Sequence, residues 1–139
     1  MRLYLAASYS RKEEIRKIAD ELIAMGFKVR SRWLYEPDAQ LSPSTRDEFL
    51  RSRAEIDVED VMACEVLVRF SDDLSSPTVP SHLATGSRMF EMGLAWANSK
   101  PVVVVGGNQC VFDYLNSITH VKDVGELKIF LEEYQGVAW

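Results

Sequence analysis

The amino-acid sequence predicts an α/β fold in which a five-stranded parallel sheet carries helices on both faces. Short apolar runs such as "RLYLAAS", "EVLVRF" and "PVVVV" alternate with longer segments of helical periodicity. Strands that alternate with helices favour a parallel sheet covered on both sides. The length of 139 residues suits one compact domain. We therefore predict that residues 1–139 form a single three-layer sandwich of the flavodoxin or Rossmann type.

The first strand and helix are predicted from a short apolar run and an apolar stripe. "RLYLAAS" is expected to form a buried strand over residues 2–7. Ser10 and Glu13 have the spacing of a capping box, so a helix is expected to begin there and to end at Gly26. The residues at helical spacing that form its apolar stripe are Ile15, Ile18, Ala19, Leu22 and Ile23.

The next segments predict a second strand, a loop and a second helix. "FKVRSRW" alternates large and polar residues, which predicts a strand over residues 27–33. "LYEPDAQLSPS" contains two prolines and is interpreted as a loop. Thr45 and Glu48 form a second predicted capping box, which opens a helix over residues 46–63.

The second half of the chain predicts three further strands. "EVLVRF" is rich in β-branched residues and predicts the third strand, and the long segment "SDDLSSPTVPSHLAT" predicts an irregular loop. An apolar helix from Gly86 leads into the "PVVVV" strand, and "ITHV" is predicted as the last strand. A final helix opens at Asp123 and Glu126, with its apolar face formed by Leu127, Phe130, Leu131 and Tyr134.

The composition limits the possible partners. The formal net charge of −5 argues against binding duplex nucleic acid, which requires a basic face. No apolar run approaches the roughly 20 residues of a membrane helix, so no membrane partner is expected. The side chains Cys64, Cys110, His82 and His120 match no zinc spacing, so we expect no metal and no cofactor. Lone thiols and the lack of a signal peptide favour the cytoplasm.

Open parallel sheets bind ligands at the carboxyl ends of their strands. That rule selects three loops as the candidate site: Ala6–Arg11, Ser71–Ser87 and Gly106–Cys110. Glu91 is a lone acid in the almost wholly apolar helix that follows the second of these loops. Its position is compatible with a functional acid and also with an acid that simply complements the helix dipole. A capping-box role does not fit, because that position after Ser87 is occupied by Phe90.

Two other residues have a functional and a structural interpretation. Asp57 borders a predicted inward stripe whose members are Leu50, Ala54, Val58 and Val61. It is interpreted either as a site residue at the edge of the core or as a surface acid like its neighbours. Tyr4 lies in the first strand, where a phenol either packs in the core or hydrogen-bonds an acid of the site.

Three segments together resemble the nucleoside 2-deoxyribosyltransferase family, which also contains 2-deoxynucleoside 5-phosphate N-hydrolases. They are "LYLAASYSRKEE", "IDVEDVMACEVLVRF" and "TGSRMFEMGLAWANSKPVVVV", and the similarity extends over about residues Met1–Val105. The most specific element is the helix that carries Glu91, Gly93 and Ala95 and is followed by Lys100-Pro101. The second is the helix with Asp57 that leads to Glu65 at the start of the third strand.

The resemblance implies roles for three residues. Glu91 is expected to attack the anomeric carbon of a sugar, or to stabilise positive charge there, while Asp57 hydrogen-bonds the base and supplies a proton. Tyr4 is expected to orient Glu91. These residue types suit the chemistry. Cleavage of a glycosidic bond builds oxocarbenium character on the sugar, and the leaving base must be protonated.

One departure from the family pattern indicates the kind of substrate. In the transferases of the family, an aspartate six residues before the catalytic glutamate holds the 5′-hydroxyl, and here that position is Thr85. A hydroxyl residue is compatible with a 5′-phosphate, and the start of a helix binds anions. The predicted substrate-binding residues are Ser8, Ser10, Arg11, Thr85, Gly86, Ser87 and Arg88. The two arginines are equally well interpreted as solvated helix-start surface.

The sequence therefore predicts cleavage of the N-glycosidic bond of a (deoxy)nucleoside 5′-monophosphate or nucleoside, by hydrolysis or by base exchange, with Glu91 as nucleophile. The alternative from another class is a module on the same fold that binds or senses a nucleotide without turnover. The resemblance also implies a homodimer or a higher homo-oligomer.

Overall fold

The computed structural model describes residues 1–37, 42–72 and 85–136. Its strands are β1 (Arg2–Ala6), β2 (Lys28–Val29), β3 (Val66–Phe70), β4 (Val102–Val105) and β5 (Ile118–Val121). Its α-helices are α1 (Lys12–Ala24), α2 (Pro43–Ala63), α3 (Thr85–Ala97) and α4 (Val124–Gly136). All neighbouring strands pair in parallel in the order β2-β1-β3-β4-β5, which confirms the predicted five-stranded parallel sheet.

The strand order explains how helices come to cover both faces of the sheet. The chain moves in one direction from β1 to β2 and in the other from β2 to β3 and β4. Right-handed crossovers, the strong rule for parallel strands, then place α1 on one face and α2 with α3 on the opposite face. In agreement, α2 packs against α3, and α4 is joined to α1 by an ion pair of 3.1 Å between Lys128 and Glu21.

The central strands are the most completely buried elements of the fold. Every residue of β3 and β4 is buried, as expected for strands with neighbours on both sides and helices on both faces. Between β4 and β5 the structure has a 3₁₀-helix over Val111–Tyr114 in place of an α-helix. None of the helices in the described ranges is long and apolar enough to cross a membrane.

The beginning of α1 differs from the prediction, whereas its end agrees with it. Tyr9–Arg11 form a 3₁₀-turn, α1 begins after it, and no side chain caps the helix. The predicted capping box of Ser10 and Glu13 is therefore wrong. Gly26 follows the helix with a φ of 99°, a left-handed conformation that glycine adopts readily. Ile23 is 45% exposed, because it lies about 100° around the helix from the buried Leu22.

The predicted strand over residues 27–33 is wrong beyond Val29. β2 ends there, and Arg32–Leu34 form a 3₁₀-helix. Side chains take the place of a strand ladder in this segment. The carboxylate of Asp60 accepts the backbone N–H of Arg32 at 2.9 Å, and the Ser31 hydroxyl accepts the N–H of Leu5 at 2.8 Å.

Helix α2 begins earlier than predicted and buries a different face. Its cap is Ser42, followed by a proline at the first helical position, and no side-chain cap bond is made. The Thr45–Glu48 capping box is thus wrong, because both residues lie inside the helix. Of the predicted inward stripe only Val61 is buried, while the exposed members are Leu50, Ala54 and Val58. The helix is rotated so that the carboxylate of Asp60 faces inward to its arginine partners.

Later elements agree better with the prediction. The strands at "EVLVRF", "PVVVV" and "ITHV" are confirmed, and in α4 the side chain of Asp123 accepts the backbone N–H of Glu126 at 2.9 Å. Helix α3 begins at Thr85, so residues 85–87 belong to the helix and not to the loop, and Glu91 lies at its middle. Most of the predicted long loop, residues 73–84, lies outside the described residues.

Candidate active site

A cavity of about 450 Å³ lies where β1 ends, between α2 and α3. Strand β1 is the point at which the chain changes its winding direction, and open α/β sheets bind ligands at this place. The volume is within the usual range for small-molecule sites. The apolar part of the wall is formed by Ala7, Tyr9, Trp33, Pro37, Phe49 and Leu50. The polar part is formed by Arg53, Asp57, Ser87 and Glu91.

Glu91 points from α3 into this cavity and contacts β1. The hydroxyl of Tyr4, which is fully buried, donates a hydrogen bond to its carboxylate. Burial raises the pKa of Glu91 to about 7; the bond from Tyr4 opposes this shift, and the negative charge of Asp57 adds to it. Burial, followed by the charge of Glu91, raises the pKa of Tyr4 far above its ordinary value. The pair is therefore a neutral phenol that donates to a carboxyl group which titrates near neutral pH.

Asp57 reaches the same cavity from α2. Partial burial raises the pKa of its carboxyl to about 6, with a further rise from the charge of Asp60 and a fall from Arg53 and Arg32. The two cavity acids thus come from two different helices. Their pKa values differ from those of ordinary surface acids, which is frequent at functional sites.

Arg53 is a cavity residue that the sequence analysis missed. Its guanidinium lies over the ring of Phe49, 4.7 Å from the ring centroid, and forms an ion pair with Glu36. One signal in the sequence could have identified it, because Arg53 precedes Asp57 by four residues and so shares its helix face.

Three of the predicted substrate-binding side chains instead surround a second missed residue, Asp72, two residues after the end of β3. Its carboxylate accepts the Ser8 hydroxyl at 2.6 Å, and Arg88 pairs with the same oxygen at 2.9 Å. Arg11 approaches the other oxygen at 3.4 Å and donates to the Ser71 carbonyl at 2.8 Å. Both Arg88 and Asp72 are buried. This cluster joins the end of β1, the end of β3 and the first turn of α3.

The remaining predicted binding residues are three neighbours at the start of α3 and Ser10 in the turn after β1. Ser87 is exposed and lines the cavity. Gly86 is exposed in the first turn of α3, and the structure does not describe the side chain of Thr85. Ser10 is exposed in the 3₁₀-turn after β1. In the part of the chain that the structure describes, no group of three or more His, Cys, Asp or Glu side chains is placed to share a metal ion.

Both sequence-based comparisons are negative, because no protein-family model and no curated protein matches the chain. Solved structures do match. CMP N-glycosidase BcmB of Clostridium botulinum is similar over 96% of this chain and 100% of its own, with 18% identity and a TM-score of 0.59. A 2-deoxyribosyltransferase from Bacillus psychrosaccharolyticus is similar over 92% of this chain and 90% of its own, with 17% identity and a TM-score of 0.57.

A third similar structure is a conserved protein from Enterococcus faecalis V583, with 14% identity, a TM-score of 0.59, and coverage of 94% of this chain and 98% of its own. At these identities the comparisons establish a shared fold. The chain therefore has the fold of an N-glycosidase and of a 2-deoxyribosyltransferase, as the resemblance in its three segments implies.

Proposed function

We propose that this chain is a member of the nucleoside 2-deoxyribosyltransferase family that cleaves the N-glycosidic bond of a (deoxy)nucleoside or its 5′-monophosphate. The observation that carries the proposal is that Glu91 and Asp57 line one cavity from two helices, with Tyr4 bonded to Glu91. The fold shared with an N-glycosidase and a 2-deoxyribosyltransferase supports it. Cleavage of a glycosidic bond needs one carboxylate at the anomeric carbon of the sugar and a second acid that protonates the leaving group.

Glu91 is the proposed nucleophile. Its ionised carboxylate forms a bond to the anomeric carbon while the bond from that carbon to the base nitrogen breaks, and the electron pair of the broken bond stays on the base. In the second step a water molecule attacks the same carbon and releases the sugar from Glu91. In base exchange a second base takes the place of that water molecule.

Asp57 is the proposed acid and base. It gives its proton to the departing base in the first step and takes a proton from the attacking water in the second. A pKa of about 6 keeps a share of this carboxyl protonated near neutral pH, which an ordinary surface aspartate does not achieve.

We further propose that a 5′-phosphate binds at the start of α3. Ser87 lines the cavity one helical turn before Glu91, and the backbone N–H groups at the start of a helix attract anions. The threonine at position 85, where the transferases carry an aspartate, favours a phosphate and hence hydrolysis over exchange. Arg88 and Ser8 support this site indirectly. Arg88 on α3 and Ser8 after β1 both contact Asp72, and these contacts hold the first turn of α3 beside the end of β1.

A homodimer or higher homo-oligomer in the cytoplasm is also part of the proposal. Large apolar side chains are exposed on α3 and on the following 3₁₀-helix, namely Phe90, Trp96, Val111 and Phe112. A second copy of the chain would remove this apolar surface from water.

The decisive experiment follows free base by chromatography with a panel of nucleosides and 5′-monophosphates. We expect base release by the wild type without an added acceptor, and a loss of about 10³-fold or more in Glu91→Gln, because the nucleophile is gone. Glu55→Gln, an exposed acid on α2, is the matched control and should leave the rate unchanged.

Three results would contradict parts of this proposal. Equal rates in Glu91→Gln and the wild type would remove Glu91 from the chemistry. Base release that requires a second base would identify a transferase. Ligand binding with no product from any substrate would favour the nucleotide-binding module.

A further inference from the structure

We propose that Arg53 reads the edge of the base and selects nucleobases that present a carbonyl oxygen to α2 over those that present an amino group. This inference rests on the proposed function and names its substrate class. Arg53 is the one guanidinium among the described residues that line the cavity.

The position of Arg53 places it on the base side of the cavity. It lies on α2 one helical turn before Asp57, and both side chains line the cavity. Glu91, the proposed partner of the anomeric carbon, and Ser87, the proposed partner of the phosphate, both come from α3. The sugar and phosphate therefore lie along α3, and the base is directed towards α2.

The surroundings of Arg53 hold its guanidinium in one orientation. The guanidinium carbon lies over the Phe49 ring, 4.7 Å from its centroid, the carboxylate of Glu36 pairs with the guanidinium, and the carbonyl of Pro37 accepts from it at 3.5 Å. Its side chain is 24% exposed. A guanidinium that is stacked and paired in this way loses little further entropy when it binds a ligand.

The cavity wall around Arg53 suits a flat ring. Trp33 and Tyr9 contribute aromatic side chains whose ring centroids are 6.4 Å apart, and Phe49 contributes a third ring. Aromatic rings stack on bases of every kind and carry little information about the base. Discrimination between bases must therefore come from the polar side chains beside them.

The chemistry of a guanidinium determines which bases it accepts. Arginine only donates hydrogen bonds, so it pairs well with a carbonyl oxygen such as O4 of uracil, and in a bidentate manner with O6 and the unprotonated N7 of hypoxanthine. An exocyclic amino group at the same place would set donor against donor and leave the facing N–H groups of both partners without an acceptor beside a partly buried side chain. Sites built on such contacts reject the wrong partner more strongly than apolar pockets do.

The test compares pairs of substrates that differ by one group. The pairs are the hypoxanthine and adenine compounds and the uracil and cytosine compounds, each as the nucleoside and as the 5′-monophosphate. We expect the wild type to favour the carbonyl member of at least one pair by about tenfold or more in kcat/KM, the discrimination of one bidentate pair. Arg53→Met should bring that ratio close to one, and Arg53→Lys should keep part of it. The matched control is Arg51→Met, an exposed arginine of α2, which should keep the ratio.

Binding of free hypoxanthine and free adenine, measured by calorimetry, separates this inference from the proposed function. The same preference in binding, lost in Arg53→Met, would support the role of Arg53 even if no base were released. An unchanged preference in Arg53→Met would overturn the inference. So would a loss confined to the 5′-monophosphates, because it would assign Arg53 to the phosphate.

Discussion

At the scale of the residue, the central feature is the bond between Tyr4 and Glu91. Tyr4 is a buried strand residue whose hydroxyl has to find a partner, and the carboxylate on α3 is that partner. Burial alone would raise the pKa of Glu91 further than about 7, and the phenol bond holds it down. Through this bond, a strand residue controls how much of the proposed nucleophile is ionised.

Replacing Tyr4 by Phe should therefore move the pH dependence of the reaction. The phenol stabilises the ionised carboxylate, so its loss raises the pKa of Glu91 and shifts the acid limb of kcat/KM to higher pH. We expect base release at pH 6 to fall by about tenfold, the effect of one hydrogen bond to a charged group, and to recover partly at pH 8. The measurement is a pH profile of both proteins. An acid limb at the same pH in both would show that the bond does not govern ionisation.

At the scale of the element, α2 is a helix with polar residues on its buried side. Asp60 is fully buried and accepts from the guanidinium groups of Arg30 and Arg32, each at 2.9 Å. These bonds anchor the segment after β2, which carries the cavity residue Trp33, to the helix that carries Asp57. Asp60 thereby sets the orientation of α2 to the rest of the site.

Asp60→Ala should lower the free energy of unfolding by about 2–4 kcal/mol, because it removes the buried carboxylate that accepts the backbone N–H of Arg32 and the Nε–H groups of both arginines. Glu59→Ala is the matched control. Glu59 pairs with the same arginines at 2.7 and 3.2 Å but is 62% exposed, so its loss should cost less than about 1 kcal/mol. Urea denaturation of the three proteins measures both values. Similar costs for the two variants would contradict the anchoring role.

At the scale of the whole molecule, the site reduces the stability of the fold. The ordinary pKa of a glutamate, 4.5, represents the unfolded chain, whereas the folded value for Glu91 is about 7. Below about pH 4.5 the group is protonated in both states and has no effect. As the pH rises through this interval, ionisation favours the unfolded chain, and the cost is complete above pH 7.

Glu91→Gln should consequently be more stable than the wild type at pH 8, by about 1–3 kcal/mol, and equal to it at pH 4.5. The amide oxygen can still accept the bond from Tyr4, so the substitution removes the charge and keeps the contact. Chemical denaturation at the two pH values gives the difference. A variant less stable at pH 8, or a difference independent of pH, would show that the carboxylate is not destabilising where it lies.

The prediction from sequence succeeded where local pattern and burial coincide. The apolar runs that became β3 and β4 are buried on both sides, and the predicted Asp123 caps the last helix by accepting the backbone N–H of Glu126. It failed where a distant side chain competes with a local signal. Helices α1 and α2 begin at residues other than the predicted capping boxes. The strand after Phe27 ends early, and the backbone N–H of Arg32 donates to the carboxylate of Asp60, 28 residues away, instead of to a neighbouring strand.

The linear pattern of residues thus determines the α/β class, the parallel sheet and the helix that carries Glu91, because periodicity and burial are encoded by neighbours along the chain. Only the folded chain brings Asp57, Arg53 and Glu91 to one cavity, with Tyr4 bonded to Glu91, and directs Ser8, Arg11 and Arg88 towards Asp72. The rotation of α2, and with it the choice of residues that face the cavity, depends on contacts between residues far apart in sequence. Local spacing shows that Arg53 and Asp57 share a helix face, but it does not show that this face meets the cavity.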